Sequence, residues 1–364
     1  MTPMFRSLLA ASLLALGSAG DAAAQTIYLR IHAVRLSDDD GTRAAAITPA
    51  QVAAWVKEAN AIFGRSNAGI RLYFKADGIG PDWQEVKSSA LNGLTSGGGG
   101  WSDANSFAAK RPGKVVVFFR YGAADSATGN GFAFPPQSNK GVNFIAMPGF
   151  NHTGIPVDDF SGPFVQNRLL FAHELGHYLG LGHTFPGWSD TETDTDAEAA
   201  ARIAKDGGKS SALDGDSLSD TPAEAGTAYY KNKGWKMCTG PASYTISGTG
   251  SKPFSHGFTP MRSNIMSYFG CGDMRFTPGQ VARMRQTLAL PARKAIVSYQ
   301  PPAYDLVTKP RDEVVAVEPA APLIPSVDSA DQSKAPRTAA PRPTPPLRIP
   351  PPPPAARPGP RPSR

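Results

Sequence analysis

The stretch that decides the fold is residues 171–185, which read Phe-Ala-His-Glu-Leu-Gly-His-Tyr-Leu-Gly-Leu-Gly-His-Thr-Phe. If this stretch forms a helix, His173 and His177 lie four residues apart and project from one face, so that two imidazoles can reach one zinc ion. Glu174 lies further around the helix, where its carboxylate can take a proton from a water that the metal activates. The spacing therefore predicts a metal site on an active-site helix.

The third histidine of the stretch requires the helix to end. His183 cannot reach the same ion if the helix continues, and Gly180 permits the positive φ of a sharp turn. Three histidine ligands leave the fourth tetrahedral position to water, as in catalytic zinc sites. We therefore predict one catalytic zinc ion bound by His173, His177 and His183. A buried helix with hydrogen-bonded histidines and a zinc site without catalysis are the alternatives.

The other three histidines of the chain are His32, His152 and His256. None has a second ligand at a spacing that would suit a metal. They are predicted to be surface residues or hydrogen-bonded residues.

The flanking sequence alternates between strand and helix patterns. Strands are predicted at 26–35, 70–75, 114–120 and 143–147, from alternating or continuous apolar residues. Helices are predicted after Thr48 and after Thr277, because each is followed by proline at the first helical position. The run at 114–120 is apolar enough to lie in the middle of a sheet with both faces buried.

The net charge of +7 lies entirely in the C-terminal tail. Residues after Asp331 include seven Lys/Arg and no acid, which leaves 30 basic and 30 acidic residues in the rest of the chain. The excess of basic over acidic residues therefore gives no reason to expect a nucleic-acid partner. Residues 301–364 hold 19 of the 35 prolines and are predicted to be a basic, disordered or extended tail. This tail is either a flexible, cleavable linker or spacer or a segment that contacts the cell envelope or partners.

The N-terminus has the three parts of a secretory signal. Arg6 precedes an apolar run at 8–16, and Ala22-Ala23-Ala24 form a small-residue cleavage site. We predict that residues 1–24 are a signal peptide and that the protein is exported, either secreted or periplasmic. No later run of 18 or more apolar residues occurs, which argues against an integral membrane span.

The two cysteines, Cys238 and Cys271, allow two interpretations. In an oxidising compartment an even pair is most simply a disulfide, and this one would stabilise the fold by about 3.5 kcal/mol in the chain-entropy model. Two thiolates on a metal are the alternative, although no Cys-x-x-Cys spacing supports it.

With these motifs the sequence resembles the metzincin metalloproteases. Residues 263–268 read Ser-Asn-Ile-Met-Ser-Tyr and look like the Met-turn of that family. Three further motifs are similar to those of the pappalysin-type branch (cytophagalysin/ulilysin-like): His183-Thr184-Phe185, Asp220-Thr221-Pro222-Ala223, and Phe276 to Gln280 followed by Arg283-Met284. The similarity covers roughly residues 26–290.

The resemblance implies the fold. It is an α+β zincin with a twisted mixed β-sheet, the active-site helix, and a C-terminal subdomain that contains the Met-turn and a helix. The catalytic domain would span residues 25–300, with its N-terminal subdomain ending at about residue 182. Residues 143–147 would follow the upper edge of the cleft and pair with an extended polypeptide substrate.

The resemblance also implies roles for single residues. Glu174 would be the general base and then the general acid, and Met266 would form an apolar floor below the zinc. Tyr268 would bind zinc or hydrogen-bond the reacting oxyanion, with a packing role as the alternative. The acidic segment from Asp214 to Asp220 is a candidate calcium site, with a solvated loop as the alternative.

Two positions depart from the pappalysin pattern. Ser267 replaces an aspartate of the Met-turn, and Trp188 stands near the position of a cysteine in relatives, which leaves Cys238 and Cys271 as the surviving disulfide. Together these features predict an exported zinc endopeptidase. The alternatives are a zinc hydrolase of a non-peptide amide and an envelope-binding protein with a vestigial metal site.

Overall fold

A computed structural model of the chain describes residues 25–77, 81–121, 131–138, 140–149, 167–186, 195–249 and 252–303. The predicted signal peptide and the tail beyond Ala303 lie outside these ranges, as do His152 and Trp188, so the predictions about them stay predictions. Within the described ranges, no helix is both long enough and apolar enough to cross a bilayer.

Five strands form the main sheet, and the longest of them lies at its centre. This central strand is β1 (Ile27–Ser37). On one side it pairs with β2 (Ile70–Tyr73) along its first residues and with β3 (Trp83–Lys87) along its last residues. On the other side it pairs with β4 (Lys114–Arg120), which in turn pairs with β5 (Ile145–Pro148). All four pairings are parallel; antiparallel pairing occurs at the isolated bridges Tyr28–Ser298 and Phe132–Ala146.

Eight α-helices, one short 3₁₀ helix at Ser210–Leu213 and one β-hairpin complete the described part of the chain. The helices are α1 Pro49–Arg65, α2 Ser89–Asn92, α3 Trp101–Ala109, α4 Asn167–Tyr178, α5 Asp196–Lys205, α6 Thr227–Asn232, α7 Pro278–Ala289 and α8 Pro291–Lys294. The hairpin consists of β6 Tyr244–Gly248 and β7 Phe254–Phe258. The α+β class is confirmed, and so are the helices predicted after Thr48 and Thr277, each of which starts with a capping box.

Strand β4 is buried on both faces, as its composition predicts. Its odd-numbered residues, such as Val117, pack into a core with α1 and α4. Its even-numbered residues, such as Phe118, pack with α2 and α3 on the opposite face. The sheet therefore has a helical layer on each side, and α4 is fixed against α1 and the sheet.

The C-terminal part has its own core, built on aromatic rings around Tyr230 and Tyr244. A disulfide joins Cys238 to Cys271, with 5.6 Å between the Cα atoms. The disulfide interpretation is therefore confirmed and the thiolate–metal alternative is wrong. Cys271 lies three residues beyond Tyr268, so the bond secures the chain directly after the Met-turn.

Removal of this disulfide tests its contribution to stability. We expect a Cys238→Ser/Cys271→Ser double variant to unfold with a free energy about 3.5 kcal/mol lower than that of the wild type, because the unfolded chain gains the entropy of an open 33-residue loop. Urea unfolding under non-reducing conditions measures this difference, with reduced wild-type protein as the matched control. Equal midpoints for variant and wild type would show that other contacts restrain the loop.

Candidate active site

Helix α4 carries the first two histidines into the interior. Phe171, Leu175 and Tyr178 are buried in the main core and hold the helix against the sheet. His173 and His177 are also buried, one turn apart on the same helix. The rigid packing of α4 thus fixes two of the three imidazoles.

A tight turn ends α4 and brings the third histidine back. Gly180 has φ of +98°, as predicted, and the amides of Gly180 and Leu181 donate to the carbonyls of His177 and Gly176 at 2.9 Å each. This is the hydrogen-bond pattern of a Schellman motif. A Cβ atom at Gly180 would lie 3.1 Å from Cβ of Thr287 on α7 and closer still to its hydroxyl. Glycine is therefore required here both for the backbone conformation and for the approach of α7.

The three imidazoles converge on one point. Their Nε2 atoms lie 3.0–3.2 Å apart, pair by pair. Nδ1 of His173 lies 2.7 Å from the carbonyl of Ile265, and Nδ1 of His177 lies 2.9 Å from that of Leu181, so both Nδ1 atoms donate and the Nε2 lone pairs face the centre. Nitrogen ligands at about 2.0–2.1 Å from a tetrahedral zinc ion would be about 3.3 Å apart. The residues present therefore fit a zinc ion.

The electrostatics keep these rings in the ligand form. Burial lowers the pKa of His173 to about 4. Burial, and then the neighbouring His183 and His173, lower the pKa of His177 well below its ordinary value. The imidazoles of His173 and His177 are therefore neutral at neutral pH, which metal binding requires. In the described ranges, these three residues are the only His, Cys, Asp or Glu group that could hold a metal ion.

Glu174 directly follows His173 on α4 and is also buried. Burial raises the pKa of its carboxyl to about 8, against the opposing effects of the Arg120 charge and a hydrogen bond from the backbone of Ala133. Its Oε2 atom has no hydrogen-bond partner among the described residues. A Cβ atom at Gly131 would lie 2.8 Å from Oε1. A wall formed by residues 131–133 thus closes against the buried carboxyl group of Glu174.

Met266 lies below the helix turn that separates the two histidines. It is fully buried, and a Cβ atom at Gly176 would collide with its sulfur. Its amide donates to Oδ1 of Asn264 at 2.8 Å, which shapes the turn. Met266 therefore packs against α4 between the two histidines, and its role as an apolar floor below a zinc ion stays a prediction.

Tyr268 lies beside the histidines and is partly exposed. Its ring centroid is 4.9 Å from that of His183 and 5.7 Å from that of His173. Phe185 stacks on His183 at 4.6 Å with an angle of 13° and also contacts Tyr268. The ring is therefore close enough for a role in the reaction, and that role stays a prediction.

Glu224 is a residue of this region that the sequence gives no reason to select. Its buried carboxylate accepts hydrogen bonds from Thr184 Oγ1 and, at 2.9 Å, from Ser267 Oγ. Thr184 follows His183 and Ser267 follows Met266, so Glu224 joins the third histidine to the Met-turn. Ser267, which departs from the family pattern, thus forms one half of this link. The two partners of Glu224 are 40 and 43 residues away in sequence, so no local sequence pattern predicts these hydrogen bonds.

The acidic segment from Asp214 to Asp220 uses its carboxylates within the fold. Asp214 accepts from two backbone amides, Asp216 accepts from Gln280 Nε2 at 3.0 Å, and Asp220 accepts from the amide of Gly279 at 2.6 Å. Burial raises the pKa of Asp216 to about 6. These contacts join the segment to the start of α7. Calcium binding here stays a prediction.

The predicted substrate strand needs a correction. Ala146 of β5 exchanges hydrogen bonds of 2.8 and 3.0 Å with Phe132, so its backbone groups are not free to pair with a substrate. Phe132 covers this part of β5 and belongs to the wall at Glu174. The sequence around residues 131–133 has no strand pattern that would reveal this pairing in advance.

The other described histidines are hydrogen-bonded, as predicted. His256 lies 2.6 Å from the carbonyl of Gly208. His32 is buried on β1, and Arg111 Nε donates to its Nε2 atom at 3.0 Å. Burial, and then the charges of Lys114 and Arg111, lower the pKa of His32 to about 4.

His32 is expected to make the fold sensitive to acid. The unfolded ring takes a proton with a pKa of about 6.5, whereas the folded ring does not until about pH 4, so stability is lost as the pH falls between these values. Between these two pH values, the free energy of unfolding of His32→Gln should fall by about 2 kcal/mol less than that of the wild type, with allowance for solvent screening. Urea unfolding at neutral pH and at about pH 4.5 measures the effect. A His32→Gln variant that keeps the wild-type pH dependence would contradict the assignment to His32.

The fold and the site together define a class of protein. Three converging histidines on a helix and a glycine turn, with a buried glutamate on the same helix, fit the arrangement of a metzincin metalloprotease. Residues 112–289 match the model of the Peptidase_M43 family, which is described as pregnancy-associated plasma protein-A. This match includes β4, α4, residues 263–268 and α7, and it supports a pappalysin-type metzincin metalloprotease.

Solved structures with a similar fold include mirolysin of Tannerella forsythia. Mature mirolysin in complex with a cleaved peptide is 17% identical, with a TM-score of 0.47 over 75% of this chain and 96% of that chain. A promirolysin mutant is 16% identical, with a TM-score of 0.47 over 75% of this chain and 84% of that chain. These values are too low to transfer any property of mirolysin to this chain. No curated protein matches the chain.

Proposed function

We propose that the chain is an exported zinc endopeptidase in which Glu174 is the general base and then the general acid. The observation that carries the proposal is the convergence of three Nε2 atoms within 3.2 Å of one another, with a buried glutamate directly after the first of these histidines in sequence. The family match supports a polypeptide substrate. Export is supported by the sequence of residues 1–24 alone.

Each group has a defined part in the proposed reaction. A zinc ion bound by His173, His177 and His183 would polarise the scissile carbonyl and make a bound water more acidic. Glu174 removes a proton from the attacking water and later delivers it to the leaving amine. Its raised pKa suits a carboxyl group that must hold that proton between the two steps. Tyr268, from the rim of the site, would hydrogen-bond the oxyanion.

A digest of a diverse peptide mixture tests the proposal. The purified chain should cut within peptides, lose activity in excess chelator, and recover it when stoichiometric zinc is restored. Sequencing of the products gives the preference at the cleaved bond. Zinc-dependent hydrolysis of an acylated amine without peptide cleavage would instead indicate the amide hydrolase, and absence of any hydrolysis by the zinc-loaded protein would indicate a binding protein.

Export and the tail are tested separately. Expression of the full chain in a bacterial host should yield a mature protein whose N-terminal residue is Gln25, outside the cytoplasm. An unprocessed chain in the cytoplasm would contradict export. Envelope or partner contacts of the tail from residue 301 are proposed on its basic, proline-rich composition.

A further inference from the structure

Arg293, on the short helix α8, has a role that the zinc chemistry does not explain. Its side chain is 1% exposed. None of the ion pairs formed by the described residues involves it. A buried guanidinium without an acidic partner is costly unless neutral acceptors satisfy its N–H groups.

Those acceptors come from two parts of the fold. Nε donates to the carbonyl of Tyr178 at 3.0 Å, and Nη1 donates to Oδ1 of Asn143 at 2.7 Å. Nη2 lies 3.4 Å from the carbonyl of Phe134 and 3.5 Å from that of Val142. The guanidinium also lies 3.8 Å from the centre of the Tyr178 ring, whose hydroxyl donates to the same Asn143 oxygen. Arg293 therefore joins the end of α4 to both sides of the loop that precedes β5.

Both of these parts belong to the active site. Tyr178 directly follows His177, and Phe134 directly follows Ala133, whose backbone hydrogen-bonds Glu174. The positive charge also lies at the C-terminal carbonyls of α4, where the helix dipole favours a cation. A shift of the wall relative to α4 would therefore move the carboxyl group of Glu174, which hydrogen-bonds Ala133, relative to the histidines of the same helix.

We propose that Arg293 is a positioning residue. It holds the end of α4 at a fixed distance from Phe134, which adjoins the wall of residues 131–133, and so keeps the carboxyl group of Glu174 aligned with the metal. The inference rests on the proposed function, because this alignment matters only if Glu174 acts in hydrolysis. Arg293 lies beyond the segment 112–289 that matches the family model.

Kinetics of the full zinc-loaded chain test the proposal. Arg293→Ala should lower kcat by about 10²-fold with little change in KM, since a small misplacement of a catalytic group has effects of this size. Zinc content should stay at the wild-type level. Lys294→Ala, which removes an exposed cation of the same helix, is the matched control and should leave kcat unchanged. Millimolar guanidinium chloride, but not sodium chloride, should restore kcat of Arg293→Ala roughly tenfold by refilling the vacated site.

Hydrogen exchange supplies a readout that does not depend on activity. Amides of residues 131–134 and 178–182 should exchange faster in Arg293→Ala and slow again with guanidinium. Unchanged kcat, unchanged exchange, or a loss that guanidinium does not reverse would each overturn the inference. If Arg293→Ala does not fold, Arg293→Lys, which keeps the charge but loses the forked donors, is measured in the same way. If the wild type cleaves no peptide, the proposed function fails, whereas the exchange data still decide whether Arg293 holds the wall.

Discussion

The Glu174→Ala variant is expected to lose about 10⁴-fold in kcat while it retains one zinc ion per chain. The loss follows because the metal-binding group of the described residues consists of histidines alone, so no second carboxylate is available there as a base. Zinc should remain because the three imidazoles bind it without help from Glu174. Peptide hydrolysis and elemental analysis of the same preparation measure the two quantities together.

The control for this variant is Glu85→Ala, which removes an exposed glutamate far from α4 in sequence. It should keep wild-type activity. Glu174→Gln adds a second check, because it removes a buried carboxylate with an unsatisfied oxygen and should leave the zinc-free fold at least as stable as the wild type. A Glu174→Ala variant that retains a tenth of kcat would show that another group is the base.

Gly180→Ala is expected to have the second largest effect. The variant should unfold with a free energy about 3 kcal/mol lower than that of the wild type, because a Cβ atom brings backbone strain at φ of +98° and a collision with Thr287. Its affinity for zinc should also fall, since the turn places His183. Urea unfolding of the zinc-free protein and a zinc titration measure these effects.

Gly207→Ala separates the two causes. Gly207 also has a positive φ, +71°, but a Cβ atom there would meet nothing within 4 Å. This control should lose only about 1 kcal/mol from backbone strain and should bind zinc normally. If Gly180→Ala loses no more than Gly207→Ala, the contact with α7 is not a constraint.

The parts of the site that could be predicted are those that depend on local geometry. The four-residue spacing of His173 and His177 sets their separation as soon as a helix forms, and Gly180 marks the turn because few other residues tolerate its φ. Strand β4 and the start of α1 were equally predictable, since a short run of consecutive residues indicates a strand that is buried on both faces or a capping box.

Contacts between distant segments could not be predicted in the same way. Glu224 reaches Thr184 across 40 residues, and Arg293 reaches Tyr178 across 115 residues, without any pattern in the intervening sequence. The substrate-strand prediction was wrong for the same reason. The edge of β5 is covered by the segment that contains Phe132, because Phe132 pairs with Ala146. The composition of neither segment predicts that these two residues pair.

By itself, the sequence predicted the histidine group, the glutamate proposed as the general base and the turn after α4, because helix periodicity and the conformational freedom of glycine act over a few residues. Only the tertiary structure decided which groups surround that set: the wall at Glu174, the Glu224 link to the Met-turn and the buried Arg293. These depend on how strands and helices from distant parts of the chain pack, where burial and unsatisfied hydrogen bonds select partners that sequence distance does not reveal.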